Sequence, residues 1–329
     1  HSRCRQPPSL AGINAPVCSG EHNSKMPLET ELKLTCEPAV LKRIARHPAV
    51  RALKAGRART EQLVSRYFDT PDRALQQAGI ALRVRRTPRG WVQTLKERGL
   101  CMAGLQARPE WEWPVDGDFP AGELLADTPA QNALGGAKGM AAGLASLAPV
   151  FETDISRTTL LLRFADGALA ELCLDRGEVR AGDRSEPVSE VEIELRSGEV
   201  VRLFELSLSL AETLPLRLGY LSKAERGHAL ALQARALPCK AGRVSLHKGM
   251  TQAGAFRAIA AACTAQLQAN EAGLALGRDP EYLHQMRVAI RRLRSALALF
   301  RHRVDPAVLA PVAAEFHALG QRLGAARDW

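Results

Sequence analysis

Strict alternation of apolar and charged positions is the dominant pattern along this chain. In residues 28–34, two glutamates and a lysine alternate with three leucines and a threonine. Successive side chains of a strand point to opposite faces, so the three charged groups share one face. The same alternation recurs in five further segments, which are residues 80–85, 91–96, 108–113, 171–175 and 190–195. The pattern predicts an antiparallel sheet of at least six strands.

The segments between these strands contain turn and helix signals. Turn-forming residues occupy positions 87–90, 176–177 and 181–183, and Pro109 predicts the start or edge of its strand. The apolar spacing predicts helices over residues 39–52 and 203–214, the latter ending before Pro215. An Ala/Gly-rich stretch, residues 135–148, predicts a loop with a short helix.

The charged faces of the strands admit two interpretations. A solvated sheet face would give the same alternation on any single strand. Here, however, Glu-x-Glu pairs occur on three strands and Arg-x-Arg on a fourth, and like charges on one face repel unless opposite charges lie between them. A barrel with its charged face turned inward around an ionic ligand would combine both signs. We therefore predict an α+β fold, a closed antiparallel β-barrel (tunnel) with flanking helices, followed by an α-helical partial bundle.

Composition limits which kinds of partner and which cellular compartment are expected for the protein. The chain has 329 residues, enough for two domains, and a formal net charge of +10, which favours an anionic partner. Its seven cysteines are scattered and include no Cys-x-x-Cys, so we do not expect a disulfide framework. This cysteine usage favours a reducing, cytoplasmic location. No uninterrupted apolar run is long enough to span a bilayer, so no membrane association is predicted.

The same reading divides the chain into four parts. Residues 1–25 are rich in Pro, Ser, Gly and Asn, and we expect them to be a disordered or non-native extension before a natural start at Met26. A first domain covers residues 26–228, a linker residues 229–245, and a helical region residues 246–329.

Five motifs in the first domain resemble the CYTH superfamily, the triphosphate tunnel metalloenzymes. The first is Glu29-Thr30-Glu31-Leu32-Lys33, which fits the signature Glu-x-Glu-x-Lys. The others follow in order at residues 67–72, 79–85, 108–110 and 222–227. The resemblance is strongest to the bacterial inorganic triphosphatases, in which a CHAD domain follows the tunnel. It implies hydrolysis of inorganic triphosphate to pyrophosphate and phosphate.

The helix predicted at residues 282–294 is similar to the basic helix that opens CHAD domains. At about 100° per residue, four basic side chains fall on one arc, beside an apolar arc; they are His284, Arg287, Arg291 and Arg294. An ordinary solvated basic face would look the same. The resemblance implies polyphosphate binding by these four, and the stop at Trp329 predicts a truncated CHAD domain.

The resemblance also implies roles inside the tunnel. The cations expected to bind substrate are Lys33, Arg83, Arg85, Lys96, Arg108, Arg157, Lys223 and Arg226. Carboxylates repel a polyanion unless a cation lies between the two, so Mg²⁺ or Mn²⁺ is expected between the carboxylates and the substrate. The expected metal ligands are Glu29, Glu31, Glu192 and Glu194, with Glu190 and Asp175 as weaker candidates. Catalysis is assigned to Glu29, Glu31 and Lys33, either glutamate orienting the attacking water for direct in-line hydrolysis.

Other functions stay open on the sequence alone. Relatives of this fold hydrolyse thiamine triphosphate, nucleotides or RNA 5′-triphosphate ends, and a non-catalytic polyphosphate-binding protein is a further alternative. Nucleic acid is not favoured as a partner, because no reader motif is recognisable and aromatic residues make up only 5% of the chain. His47, His228, His302 and His317 lack ligand spacing and are expected to be structural or exposed.

Overall fold

A computed structural model describes residues 28–102, 104–233, 237–275, 279–303 and 305–325. The expectations for residues 1–25 and for a start at Met26 lie outside the described residues. Among the helices described, none combines the length and the apolar character needed to cross a bilayer.

Ten antiparallel strands form the first domain. They are β1 Leu28–Thr35, β2 Arg59–Asp69, β3 Ile80–Thr87, β4 Gly90–Glu97, β5 Leu100–Met102, β6 Leu105–Val115, β7 Ala148–Arg163, β8 Leu169–Ala181, β9 Arg184–Ser197 and β10 Arg217–Leu218. Eight of them close a ring in the order β1-β9-β8-β7-β2-β3-β4-β6, and β6 pairs back to β1. The short strands β5 and β10 attach to β6 and β1. The predicted closed antiparallel barrel is confirmed.

Helices flank the barrel and make up the last quarter of the chain. They are α1 Pro38–Arg46, α2 Pro48–Leu53, α3 Ala74–Gln77, α4 Pro129–Ala133, α5 Gly136–Ala145, α6 Val201–Ala211, α7 Lys223–Ala231, α8 Gln252–Ala275, α9 Pro280–Leu299 and α10 Pro306–Ala325. The last three pack on one another through apolar side chains, among them Met286 and Ile290 of α9. The predicted C-terminal helical region is confirmed.

The apolar faces of the strands point outward, under the helices. Leu32 of β1 and Ile193 of β9 are fully buried beneath α1, α2 and α6. Leu82 and Leu95 lie in a second outer cluster with α3 and α4, and the three tryptophans of β4 and β6 pack against it. Because side chains alternate, the charged positions of the same strands face the barrel interior.

Three local predictions were wrong. Positions 176–177 are not a turn, because β8 runs through them and Gly177 lies so close to the carbonyl of Asp154 that a side chain would not fit. Pro109 lies inside β6, opposite Leu28 and between the β5-paired and β4-paired segments. Residues 39–52 form two helices, since His47 precedes Pro48 and adopts an extended conformation.

The alternation argument missed the short strands β5 and β10 and, in the ring, β2 and β7. β2 and β7 pair with each other over eleven positions and supply a quarter of the ring. Their outer faces carry exposed arginines and acids, such as Arg66 and Glu152, which pair with each other. With charge on both faces, the period-two signal disappears.

Candidate active site

The barrel encloses a cavity of about 360 Å³. Its wall contains both carboxylates and cations, drawn from most strands of the ring and from α7. Of the residues predicted as substrate or metal ligands, those that line it are Glu29, Glu31, Lys33, Arg83, Arg85, Lys96, Arg108, Arg157, Glu192, Glu194 and Lys223. Asp175 and Glu190, the weaker metal candidates, are not among them. Arg226 is also absent, because it turns to Glu186 and the carbonyl of Pro187.

Strand register explains why residues so distant in sequence meet. β1 places Lys33 opposite Glu192 and Glu31 opposite Glu194 on β9. On its other side, β1 places Glu29 opposite Arg108 of β6. Directly opposed residues on neighbouring strands point to the same face. The inward faces therefore converge without any special loop geometry.

Three buried acids form the most concentrated group of negative charge. Asp175, Glu190 and Glu192 lie within 4.8 Å of one another through one carboxylate oxygen each, and we call them the acid triad. The Nζ of Lys33 lies 2.7 Å from Glu192 Oε1, and that of Lys223 lies 2.6 Å from Asp175 Oδ2. Burial works against charged lysines, but the carboxylates outweigh it and raise the pKa of both.

The acid triad has the character of a divalent-cation site. Its donors are all anionic oxygens, the type that Mg²⁺ and Mn²⁺ prefer. Moreover, Glu190 is 1% exposed and its Oε2 atom accepts no hydrogen bond. The predicted ligand set shares Glu192 with the triad. Asp175 and Glu190, the weaker candidates on the sequence, are the acids that the fold brings beside it.

A second group of charges surrounds the first two glutamates of β1. Lys96 and Arg108 donate to Glu29 at 2.8 and 3.0 Å. Burial raises the pKa of Glu29, but these two cations outweigh it and lower that pKa to about 2. Glu31 receives one bond from Arg108 at 2.9 Å, yet burial and the neighbouring charge of Glu192 raise its pKa. The two glutamates of one signature thus have opposite proton affinities.

Glu194 lies one inward position further along β9. The pKa of Glu194 is raised to about 7, mainly by burial and further by the negative charge of Glu29. Arg196, which lies 2.5 Å away, lowers this pKa, but less strongly than burial raises it. A carboxyl with a pKa near neutrality can exchange a proton at physiological pH.

Arginines without close carboxylates line the wall formed by β3. Arg83 lies 3.7 Å from both Glu110 and Glu112, and its Nε atom is buried without a hydrogen bond. Arg85 donates to Ser65 Oγ at 3.0 Å and has no ion pair with any of the described residues. Burial and the like charges of Arg83 and Arg157 lower its pKa to about 10. These guanidinium groups retain donors for an anion such as phosphate.

Three further residues of the cavity wall had no predicted role at the site: Tyr67 and Arg196 were not assigned, and His228 was expected to be structural or exposed. Tyr67 lies in the second CYTH-like motif, and its hydroxyl is hydrogen-bonded to Arg83. Arg196 is the next inward-facing position of β9 after Glu194, so extending the alternation by two residues would have predicted it. His228 of α7 is buried against the edge of Phe151, with its Nδ1 atom unbonded. The first domain gave no sequence signal for His228.

The four basic residues predicted on α9 do come together. His284, Arg287, Arg291 and Arg294 line a separate cavity of about 260 Å³ beside Gly320 of α10. The apolar arc predicted next to them is buried. Helix α9 thus presents a cationic ladder to solvent and an apolar stripe to its neighbours.

Family comparison agrees with this geometry. The sequence model of the CYTH domain family matches residues 27–228, more than half of the chain. The chain belongs to the CYTH domain family. A second model, that of the CHAD domain, matches residues 258–329.

Individual relatives are more distant. The chain is similar to an inorganic triphosphatase of Haemophilus influenzae, with 33% identity over 165 residues, which are 50% of this chain and 44% of that protein. This chain therefore spans less than half the length of that curated relative.

Among solved structures, a Hippeastrum adenylyl cyclase homologue described as having a dominant triphosphatase activity aligns at 20% identity and a TM-score of 0.45. It covers 61% of this chain and 95% of its own. A Bacillus halodurans protein described as an adenylate cyclase homologue aligns at 18% identity and a TM-score of 0.36, covering 59% and 92%.

Proposed function

We propose that this CYTH protein hydrolyses inorganic triphosphate to pyrophosphate and phosphate inside its barrel, with the aid of a divalent cation. The observation that carries the proposal is the buried acid triad, which reaches the cavity through Glu192, together with the arginines on the wall of the same cavity. A substrate with several negative charges needs the arginines, and the acids need a cation between themselves and that substrate.

The cation would be Mg²⁺ or Mn²⁺, held by Glu192 with Asp175 and Glu190. When bound, it would neutralise charge on the phosphate oxygens. Glu29, Glu31 and Glu194 remain the acids proposed to complete its coordination or to orient water. Of these, Glu194 is the best suited to accept a proton at neutral pH, because its pKa is raised to about 7.

The cations of the cavity would hold the phosphate chain. Arg83, whose ion pairs with Glu110 and Glu112 are long at 3.7 Å, and Arg85, which forms no ion pair with a described residue, offer forked donors. Lys33, Lys96, Arg108, Arg157 and Lys223 currently donate to acids, and they would share those bonds with phosphate oxygens. Phosphoryl transfer depends mainly on such positioning and charge neutralisation, so no covalent nucleophile is invoked. Cys173 fits that view, since burial raises its pKa to about 11.

Inorganic triphosphate is favoured over substrates with an organic group. Most residues of the cavity wall are charged or small, and its aromatic side chains are those of Tyr67, Tyr220 and His228. A nucleoside or a thiamine ring would find little apolar surface to cover it.

The test is hydrolysis by the purified protein of inorganic triphosphate and of ATP, each with Mg²⁺ or with a chelator. We expect faster cleavage of inorganic triphosphate and loss of activity in chelator. Faster cleavage of ATP, or full activity without metal, would contradict the proposal. Glu29→Gln with Glu31→Gln should abolish turnover and leave triphosphate binding measurable, whereas Glu123→Gln on the exposed surface should change neither.

A second binding function is proposed for the helical region. The cavity beside Gly320 gathers one imidazole and three guanidinium groups, which suits a phosphate chain. Binding of polyphosphate that survives replacement of Arg287, Arg291 and Arg294 by Gln would exclude the ladder as its main site.

A further inference from the structure

One stretch of the barrel's outer surface is strongly and uniformly positive. Residues 38–60 contain no aspartate or glutamate, and they place seven lysines and arginines within eighteen positions. Arg59 pairs with Glu61. The other six are exposed and form no ion pair with any described residue; we call them the outer basic surface, Lys42, Arg43, Arg46, Arg51, Lys54 and Arg57.

The fold holds this surface in place. Val40, Leu41 and Ile44 bury one side of α1 in the core, so its cations project to solvent from the other side. His47 accepts a hydrogen bond from the backbone N–H of Ala49 and is bonded to Thr213 through its other nitrogen, which fixes the corner between α1 and α2. Lys54 then pairs in a β-bridge with Leu162 of β7. The six cations are therefore anchored to rigid elements.

Local structure explains only part of this charge. Arg43, Arg46 and Arg51 lie in the last turns of α1 and α2, where cations favour the helix dipole. Lys42, Lys54 and Arg57 have no such role. Six exposed cations in one short segment, none of which pairs with a described acid, repel one another, and residues 38–60 contain no acid to relieve that repulsion. A surface of this kind is stabilised by an anionic partner.

We propose that the outer basic surface binds long-chain inorganic polyphosphate, at a site separate from the tunnel. A linear polyanion matches a row of exposed cations that are not gathered into a pocket. Residues 38–60 contain no Phe, Trp or Tyr, so the surface offers no stacking platform for nucleic-acid bases. It also contains none of the large apolar side chains exposed elsewhere on the protein, so it has no group to insert into a lipid layer.

The test is a salt titration of polyphosphate binding by the full chain. Lys42→Gln, Arg43→Gln and Arg46→Gln remove three cations while keeping good helix formers. We expect the affinity at low salt to fall at least about tenfold, and the slope of log K against log salt to decrease by about two. A matched control, Arg89→Gln, Lys138→Gln and Arg176→Gln, removes three exposed cations elsewhere. It should retain most of the affinity.

Several outcomes would overturn the proposal. Equal losses in the two triple variants would show that only net charge matters. Full binding by the first variant, with loss only when Arg287, Arg291 and Arg294 are replaced, would assign all binding to α9. Tighter binding of a single-stranded RNA of equal charge, lost in the first variant, would make nucleic acid the partner. Hydrolysis of inorganic triphosphate should match the parent protein in the first variant, because none of its positions lies in the cavity. Its free energy of unfolding should fall only slightly, by the helix-dipole contribution of Arg43 and Arg46 in the last turn of α1.

Discussion

Buried cations behave differently in this barrel according to the acids around them. Lys33 is 1% exposed and remains charged because Glu190 and Glu192 face it. Arg85 lies in the same cavity without such a partner, and its pKa falls to about 10. Lys33 therefore contributes to the stability of the barrel without substrate. Arg85 keeps its charge at a desolvation cost, which a bound anion would offset.

Replacing Arg85 should separate activity from stability. For Arg85→Gln we expect kcat/KM for inorganic triphosphate to fall about 10- to 100-fold, because the substrate loses its hydrogen bonds to one charged group. The free energy of unfolding should stay equal or rise, since an uncompensated buried charge is removed. Arg86→Gln, on the outward face of the same strand, is the control and should leave kcat/KM unchanged. Destabilisation by Arg85→Gln with normal kinetics would contradict this assignment.

His228 should make the folded protein sensitive to mild acid. Burial lowers its pKa below the ordinary value of 6.5; nearby Asp69 opposes the shift and Arg73 adds to it. The folded state therefore binds fewer protons than the unfolded state just below pH 6.5. The His228 contribution to stability is full above that pH and declines as the pH falls toward the folded-state pKa.

The measurement is denaturant unfolding of the parent protein and of His228→Phe between about pH 5 and pH 8. The parent should lose more free energy of unfolding than the variant as the pH falls through 6.5. Parallel curves for the two proteins would show that His228 does not titrate on unfolding.

At the scale of elements, α7 connects barrel packing to the acid triad. A capping box formed by Ser222 and Glu225 starts the helix, and Lys223 in its first turn reaches Asp175. One turn later, Gly227 lies directly against the ring of Phe151 on β7. The absence of a side chain at position 227 sets how closely α7 approaches the barrel wall.

Gly227→Ala should push α7 away from Phe151 on β7. Although alanine is the better helix former, its Cβ would overlap the Phe151 ring, so we expect a loss of about 1–3 kcal/mol in the free energy of unfolding. Displacement of Lys223 should also raise KM for triphosphate. Gly139→Ala in α5 has room for the new methyl group and should be neutral or stabilising by up to about 1 kcal/mol. A stabilised Gly227→Ala protein would contradict the close packing seen here.

Sequence patterns predicted different elements to different extents. β1, β3, β4, β6, β8 and β9 alternate cleanly because helices cover one face and the charged cavity lies at the other. β2 and β7 do not, because their outward residues pair across the barrel surface, as Arg66 and Glu152 do. The grouping of Asp175 with Glu190 depends on register between β8 and β9. Alternation alone does not fix that register.

The molecule as a whole carries a net charge of +10, and the substrate proposed for its charged cavity is a polyanion. Long-range attraction should therefore accelerate substrate capture, and salt should weaken it. Buried ion pairs within the cavity are screened much less.

We therefore expect kcat/KM for inorganic triphosphate to fall about tenfold or more between about 0.05 and 0.5 M salt, with little change in kcat. The comparison is made at constant free Mg²⁺, so that metal binding does not vary. A fall in kcat with constant kcat/KM would place the salt effect on the chemical step or on product release instead.

Closure of the ring through β1 also bears on the order in which the protein can fold. β1 is the first strand of the barrel, yet its partners β6 and β9 lie far along the chain, and the bond from Lys33 to Glu190 spans 157 positions. Contacts of such high sequence separation form late. During synthesis, Glu29 and Glu31 can pair with Arg108 once β6 has emerged. Lys33 has no carboxylate partner on β9 until residue 192 has left the ribosome, so a nascent chain lacks the proposed triphosphate site until its barrel is nearly whole.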